Sequence, residues 1–188
     1  MAIVYIYCNY KEQNEQRVSH LIASILKQLV QLAPAISEDV KFLFEKHSAK
    51  NERPALIDLQ DTLRTEVERW SKSQVFLIID ALDECRDDDG SRTELLKTLG
   101  SLPTHAKWLI TSRNMRSIEL DMQGSKRLDI CADDEDVRRY VKQRILQERR
   151  LNSNVKQKPG LEDTIVSTVM SKVKGMCVIS FHPIYCHI

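Results

Sequence analysis

The stretch VFLIIDALDEC, Val75 to Cys85, runs five apolar residues straight into three carboxylates within five positions. A short, continuous apolar run with β-branched and aromatic members is the pattern of a strand buried on both faces. Read as a strand, Val75 to Asp80 ends with Asp80 at its tip and leaves Asp83 and Glu84 on the loop that follows. Carboxylates crowded this closely repel one another unless a cation joins them, and a magnesium ion carrying nucleotide phosphates is a common one. An apolar run ending in Asp, then a small residue, then an acidic pair is the Walker B arrangement. In it Asp80 would hold the ion, and Asp83 or Glu84 would orient or deprotonate an attacking water. The bland alternative is a buried strand followed by a solvated acidic loop, against which Ala81 and the acidic pair weigh.

Calcium competes for the same region. CRDDDGSRTELL places Asp87, Asp89 and Gly90 at positions three, five and six of an EF-hand loop, but Cys85 and Leu96 stand where the first and last carboxylates are needed. Calcium is set aside on that ground. An unrelated metal-dependent phosphohydrolase built on Asp80, Asp83 and Glu84 would need further ligands, and no suitable motif supplies them.

The remainder of the chain is that of an ordinary globular protein, 42% hydrophobic and 29% charged over 188 residues, enough for one domain with a real core. A net charge of +1 gives no global field to draw in nucleic acid or an anionic membrane, so neither is an expected partner. No run approaches a transmembrane length and the first residues carry no signal-peptide pattern, which makes the cytoplasm the expected location. The cysteines are five, with no C-x-x-C pair, and fit reduced thiols. Cys177, His182, Cys186 and His187 cluster in the tail at spacings that match no common zinc pattern.

Strands alternate with helices along the chain. Ala2 to Tyr10 reads as a strand, and Asn14 to Gln31 as an amphipathic helix ended by Pro34. Further helices are expected over Glu38 to His47 and Pro54 to Lys72, then the strand Val75 to Asp80, a helix from Arg92 to Leu102 and a strand from Ala106 to Asn114. KRLDICA, from Lys126, reads as another strand and leads into a helix from Asp133 to Leu151, acidic at its start and basic at its end. A polar link, NSNVKQKPG, precedes a last helix that runs to Gly175. Strands separated by long helical crossovers point to an α/β fold with a largely parallel sheet, whose ligands bind beyond the carboxyl ends of the strands. Asp80, Asp83 and Glu84 fall at that edge.

FLIIDALDEC, then AKWLITSRN, then LDICADDEDVRRYVKQRI, with VYIYCNYKEQNEQRVSHLIASILKQLV in front, together resemble the NACHT domain of the STAND class of P-loop NTPases, in its nephrocystin-type version found in fungal NOD-like receptors. The resemblance implies a P-loop NTPase-like parallel sheet flanked by helices. It implies that Asp80 is the magnesium aspartate, that Asp83 and Glu84 are the catalytic acidic pair, and that Arg113 is the sensor arginine approaching a terminal phosphate. The implied cofactor is Mg2+ with ATP or GTP.

One part of the pattern is missing. A P-loop requires G-x-x-x-x-G-K-[ST], and the chain contains no Gly-Lys pair and no two glycines five apart. By the resemblance, the P-loop strand and helix would lie before Met1, so the core is expected to lack its first β-α unit and to stop short after Gly175. That strand would sit centrally, beside the arginine-bearing strand, and its loss would leave unpaired edges unless another segment fills the gap. The expected organisation is an incomplete core over 1–151 and, over 152–188, a linker and the start of a helical segment. The expected function is that of a fragment of a nucleotide-dependent signalling switch with weak or no nucleotide binding. The alternative is a non-catalytic interaction module that self-associates or binds full-length relatives.

Overall fold

The computed structural model describes residues 1–49, 51–130, 133–173 and 178–181. The chain divides into two compact units, residues 129–178 forming the second and the remainder the first.

The first unit is an α/β layer. Strand β1 (Ala2–Tyr7) pairs in parallel with β2 (Val75–Asp80), and β2 in parallel with β3 (Ala106–Ser112). Between β1 and β2 the chain makes α1 (Val18–Leu32), α2 (Glu38–Ser48) and α3 (Leu56–Arg69); α4 (Ser91–Gly100) links β2 to β3. The register stacks Val4 on Leu77 and Ile6 on Ile79 and Ile110, and all of these are buried. Leu21, Ile22, Ile25 and Leu29 of α1, Leu59, Leu63 and Val67 of α3, and Leu95 and Leu99 of α4 close over them as one core. Helical spacing on one side and strand alternation on the other thus meet in the same apolar layer.

The opposite side of the sheet is less covered. Ile3, Tyr5 and Tyr7 alternate with the core residues of β1 and are exposed, while Phe76 and Ile78 beside them are half-buried. The outer edge of β1 is closed by side chains. Gln28 accepts the Tyr5 N–H at 3.0 Å and donates to the Tyr5 carbonyl at 2.8 Å; Gln16 donates to the Tyr7 carbonyl at 3.1 Å and accepts the Asn9 N–H at 2.9 Å. Two glutamine amides stand in for the neighbouring strand that an edge otherwise invites.

Beyond β3 the chain forms α5 (Arg116–Asp121) and β4 (Lys126–Asp129), and β5 (Val178–Phe181) completes a sheet of order β1-β2-β3-β5-β4. The place beside the arginine-bearing strand, where the sequence left a gap, is taken by β5.

The second unit holds α6 (Asp134–Gln147), α7 (Arg149–Gln157) and α8 (Leu161–Val173). Val141, Ile145 and Val166 are its buried residues, with Val137, Leu151, Val155, Ile165 and Val169 packed on them.

Several boundaries differ from the sequence reading. The first strand ends at Tyr7, because Asn9 accepts the Lys11 N–H and turns the chain into a short 3-10 segment; α1 consequently starts at Val18. The expected helix over Asp133 to Leu151 is two helices, broken at Glu148 where the backbone is extended. The expected polar link is helical as far as Gln157, since Leu151 and Val155, four apart, give it an apolar stripe to bury. Helix α5 and strand β5 were not anticipated; Ile118 and Met122, also four apart, anchor the α5 region in the core. Cys131 and Ala132, the end of the last helix and the Cys/His tail lie outside the described residues. No helix among the described residues is long and apolar enough to cross a membrane.

Candidate functional site at the carboxyl edge

Asp80 is the last residue of β2, and the parallel register carries the residue after Ile110, Thr111, up beside it. The Thr111 hydroxyl donates to Asp80 Oδ1, and Thr111 Oγ1 itself accepts the Ala81 N–H at 2.9 Å. Thr111 thereby ties the tip of β2 to the tip of β3.

Ala81 lies in the left-handed region, at φ 56° and ψ 49°. An alanine pays steric energy there, of order 1–3 kcal/mol, and such strain persists only where neighbours fix it. Here the neighbours are Thr111 and a bond from the Glu84 N–H to the Ala81 carbonyl at 2.8 Å, which closes the 3-10 turn Leu82–Glu84. Leu82 is fully buried and pins that turn to the core.

The turn presents its acidic pair in two different settings. Asp83, with a side chain only 4% exposed, accepts the Arg113 N–H on Oδ1 at 2.9 Å and the Arg113 Nε on Oδ2 at 2.6 Å. Burial alone would push its carboxyl up, but the backbone bond and then the guanidinium of Arg113 outweigh it and hold the group below the usual carboxylate range. Arg113 is raised in turn by the same partner. Glu84 lies 3.9 Å from Arg113 Nη2 through Oε1, while its Oε2 accepts the Tyr10 N–H at 3.2 Å and its carbonyl accepts from Gln13 Nε2 at 3.0 Å.

All the residues singled out in the sequence, Asp80, Asp83, Glu84 and Arg113, therefore meet at one edge. As placed, Asp83 spends both oxygens on Arg113, a poor setting for a proton acceptor and a good one for a clamp. Glu84 keeps the less committed carboxylate. Asp80 offers one oxygen besides that given to Thr111, and among the described residues no group of three or more His, Cys, Asp or Glu side chains is placed to hold a metal ion. These donors fit a magnesium ion only as one ligand to an ion that arrives with phosphate oxygens of its own.

The sequence reading passed over Thr111. Its signal was available: a hydroxyl residue two before the arginine in LITSRN falls opposite Asp80 once β2 and β3 are set in parallel register. The contacts of Tyr10 and Gln13 on Glu84 had no comparable signal, because they depend on the turn that shortens β1.

Comparison with curated proteins and with solved structures finds no match. The family model described as Nephrocystin 3, N-terminal, matches residues 1–113, a stretch that takes in β1, the acidic turn and β3 and ends on Arg113. With more than half its length so matched, and every residue of the carboxyl-edge site inside the match, the chain belongs to the nephrocystin 3 N-terminal family.

Proposed function

We propose that the chain is the Walker B and sensor portion of a nucleotide-dependent switch of the STAND class with a NACHT-type core, of the kind used by fungal NOD-like receptors in self/non-self recognition, acting in the cytoplasm. In this reading Asp80 is the ligand of a nucleotide-borne magnesium ion, Glu84 and Asp83 are the acidic pair, and Arg113 is the cation for a terminal phosphate. The magnesium-bound ATP or GTP would bring the phosphates and most of the ion's ligands. The observation that carries the reading is the Asp83–Arg113 ion pair across the tips of β2 and β3, which parks a guanidinium at the acidic edge. A phosphate recruiting the Arg113 guanidinium must compete with the bond it donates from Nε to Asp83 Oδ2, so the pair sets a threshold for response.

These 188 residues contain no glycine-rich loop to cradle phosphates, and we expect them to hold nucleotide weakly or not at all. The test is thermal unfolding with and without millimolar Mg-ATP and Mg-GTP, beside an Asp80→Ala variant. A ligand at a hundred times its dissociation constant stabilises by about 2.7 kcal/mol. The expected result is little or no upward shift; a large shift abolished by Asp80→Ala would overturn the weak-binding expectation and support Asp80 as the ion's ligand.

A second reading is a non-catalytic interaction module that associates with full-length relatives. It is favoured by the exposed row Ile3, Tyr5 and Tyr7 on a sheet face. Nucleotide-independent association in sedimentation velocity, lost on Tyr5→Ser/Tyr7→Ser substitution, distinguishes it.

A further inference from the structure

The second unit carries a basic face that the sequence alone does not assemble. At the end of one long helix, Arg149 and Arg150 would sit where the dipole favours cations. The break at Glu148 reverses their place: they open α7, at the end where the dipole disfavours positive charge. The same break makes the polar stretch after them helical, so Lys156 lies two turns on from Arg149. Spacing i, i+4, i+7 lines up Arg149, Ser153 and Lys156 along one face, with Arg150 and Gln157 on its flank. All five are exposed, while Leu151 and Val155 take the opposite side of the helix into the core of the unit.

The cations of α6 are matched and those of α7 are not. Arg138, Arg139, Lys142 and Arg144 each meet a carboxylate at 3.4 to 3.8 Å, and Glu148, next to Arg149 in sequence, is the one given to Arg144. Arg149, Arg150, Lys156 and the following Lys158 have no ion pair among the described residues. From Arg149 to Leu161 the chain has four basic residues and no acidic one. The net charge of +1 averages this face away against the acidic start of α6.

We propose that the outward face of α7 binds the phosphate backbone of duplex nucleic acid without reading its sequence. Arg149 and Lys156 are seven residues apart, about 10 Å along the helix axis, a span that meets successive phosphates of one strand. Ser153 and Gln157 supply the uncharged donors that accompany cations on phosphate oxygens. Two other anionic partners fit less well. The face has no apolar side chain to enter a bilayer, and no aromatic one on which unpaired bases would stack. It also lies outside residues 1–113, so the inference stands apart from the nucleotide reading above.

The test uses the whole chain and fluorescein-labelled duplex DNA and duplex RNA of unrelated sequences, followed by anisotropy over a salt series. Four phosphate contacts give a slope of about −3.6 in log K against log salt for DNA, so affinity should fall roughly a hundredfold between about 50 and 200 mM salt. Arg149→Gln/Arg150→Gln/Lys156→Gln should flatten that slope by about 2.7 and weaken low-salt binding roughly tenfold or more. Glutamine is a good helix former, so α7 should persist, which circular dichroism checks. Arg17→Gln/Lys27→Gln/Lys72→Gln removes equal charge from exposed positions of the first unit and should leave the slope unchanged. Arg149→Lys/Arg150→Lys should bind as the parent chain does. Equal binding of DNA and RNA supports a backbone contact common to both, and binding of one alone names the source of the phosphate row. The parent chain's salt slope stands even where a variant fails to fold. No duplex binding at low salt, a salt-insensitive affinity, equal losses in the two triple variants, or preference for phosphatidylserine vesicles or single-stranded oligothymidine would each overturn the proposal.

Discussion

Asp83 shows how a motif residue can be legible in identity and illegible in role. Its place in an acidic pair after an apolar run was readable; that both its oxygens are spent on a residue thirty positions away was not, because the pairing exists only once β2 and β3 lie in register. Replacing Asp83 with alanine should cost about 2 kcal/mol in urea unfolding at neutral pH, since it strands the Arg113 N–H and removes a buried acceptor. Asn should recover part of this, because its amide oxygen still accepts that N–H. Much of the loss belongs to the backbone bond, as the Arg113 side chain is 63% exposed and water screens its charge. The pH dependence follows from the sign of the shift. A carboxyl held below its unfolded value contributes stability that is full above about pH 4, the unfolded range, and is lost as pH falls through the folded pKa. Below pH 4 the parent chain should therefore lose stability more steeply than Asp83→Asn, and parallel acid curves for the two would refute the clamp. Ala81 gives a simpler check: Ala81→Gly should change stability by less than about 1 kcal/mol, while Ala81→Val should cost about 2 kcal/mol, a β-branched side chain being strained at positive φ.

Elements were most readable where apolar periodicity and burial agree. Strand β2 was placed to the residue, and α2 and α3 to within a few, because Leu43, Leu59, Leu63 and Val67 face the core at helical spacing. The split between α6 and α7 was hidden because local charge and propensity favour a continuous helix, and only packing of Leu151 and Val155 redirects the chain. Strand β5 was hidden for the opposite reason: four residues gain their pairing from a sheet formed by distant segments. The edge of β1 lies between these cases. Its strand character was plain, but the glutamines that cover it come from α1 and the turn before it, so they read as ordinary polar positions. Gln28→Leu keeps the size and removes both hydrogen bonds to Tyr5, exposing its N–H and carbonyl on an edge already flanked by Ile3 and Tyr7. Sedimentation velocity should show concentration-dependent self-association in this variant beyond that of the parent chain. Equal behaviour of the two would mean that the glutamine cap does not guard the edge.

At the scale of the molecule, the two units differ in how much apolar structure each has to lose. In the first, three layers of contacts from α1, α3 and α4 close over β1, β2 and β3, and many side chains there are fully buried. In the second, Val141, Ile145 and Val166 are the buried hydrophobic residues among those described, and α7 has none of its own. Helices this short are marginal without tertiary support, so α6, α7 and α8 should open at a lower free energy than the sheet. Native-state hydrogen exchange is the direct measurement: amides of α6 to α8 should exchange through sub-global opening, while those of β2 and its neighbours should exchange only on global unfolding. Matched substitutions sharpen the comparison. Leu63→Ala, in the large core, should cost about 3 kcal/mol and lower protection throughout the first unit. Ile145→Ala should raise exchange in α6, α7 and α8 while leaving β2 protection as it was, because destabilising a unit that opens by itself does not change what holds the other together. If Ile145→Ala instead lowered protection across β1, β2 and β3 by the same free energy as in α6, the chain would be a single cooperative unit and the division drawn from its two cores would be wrong.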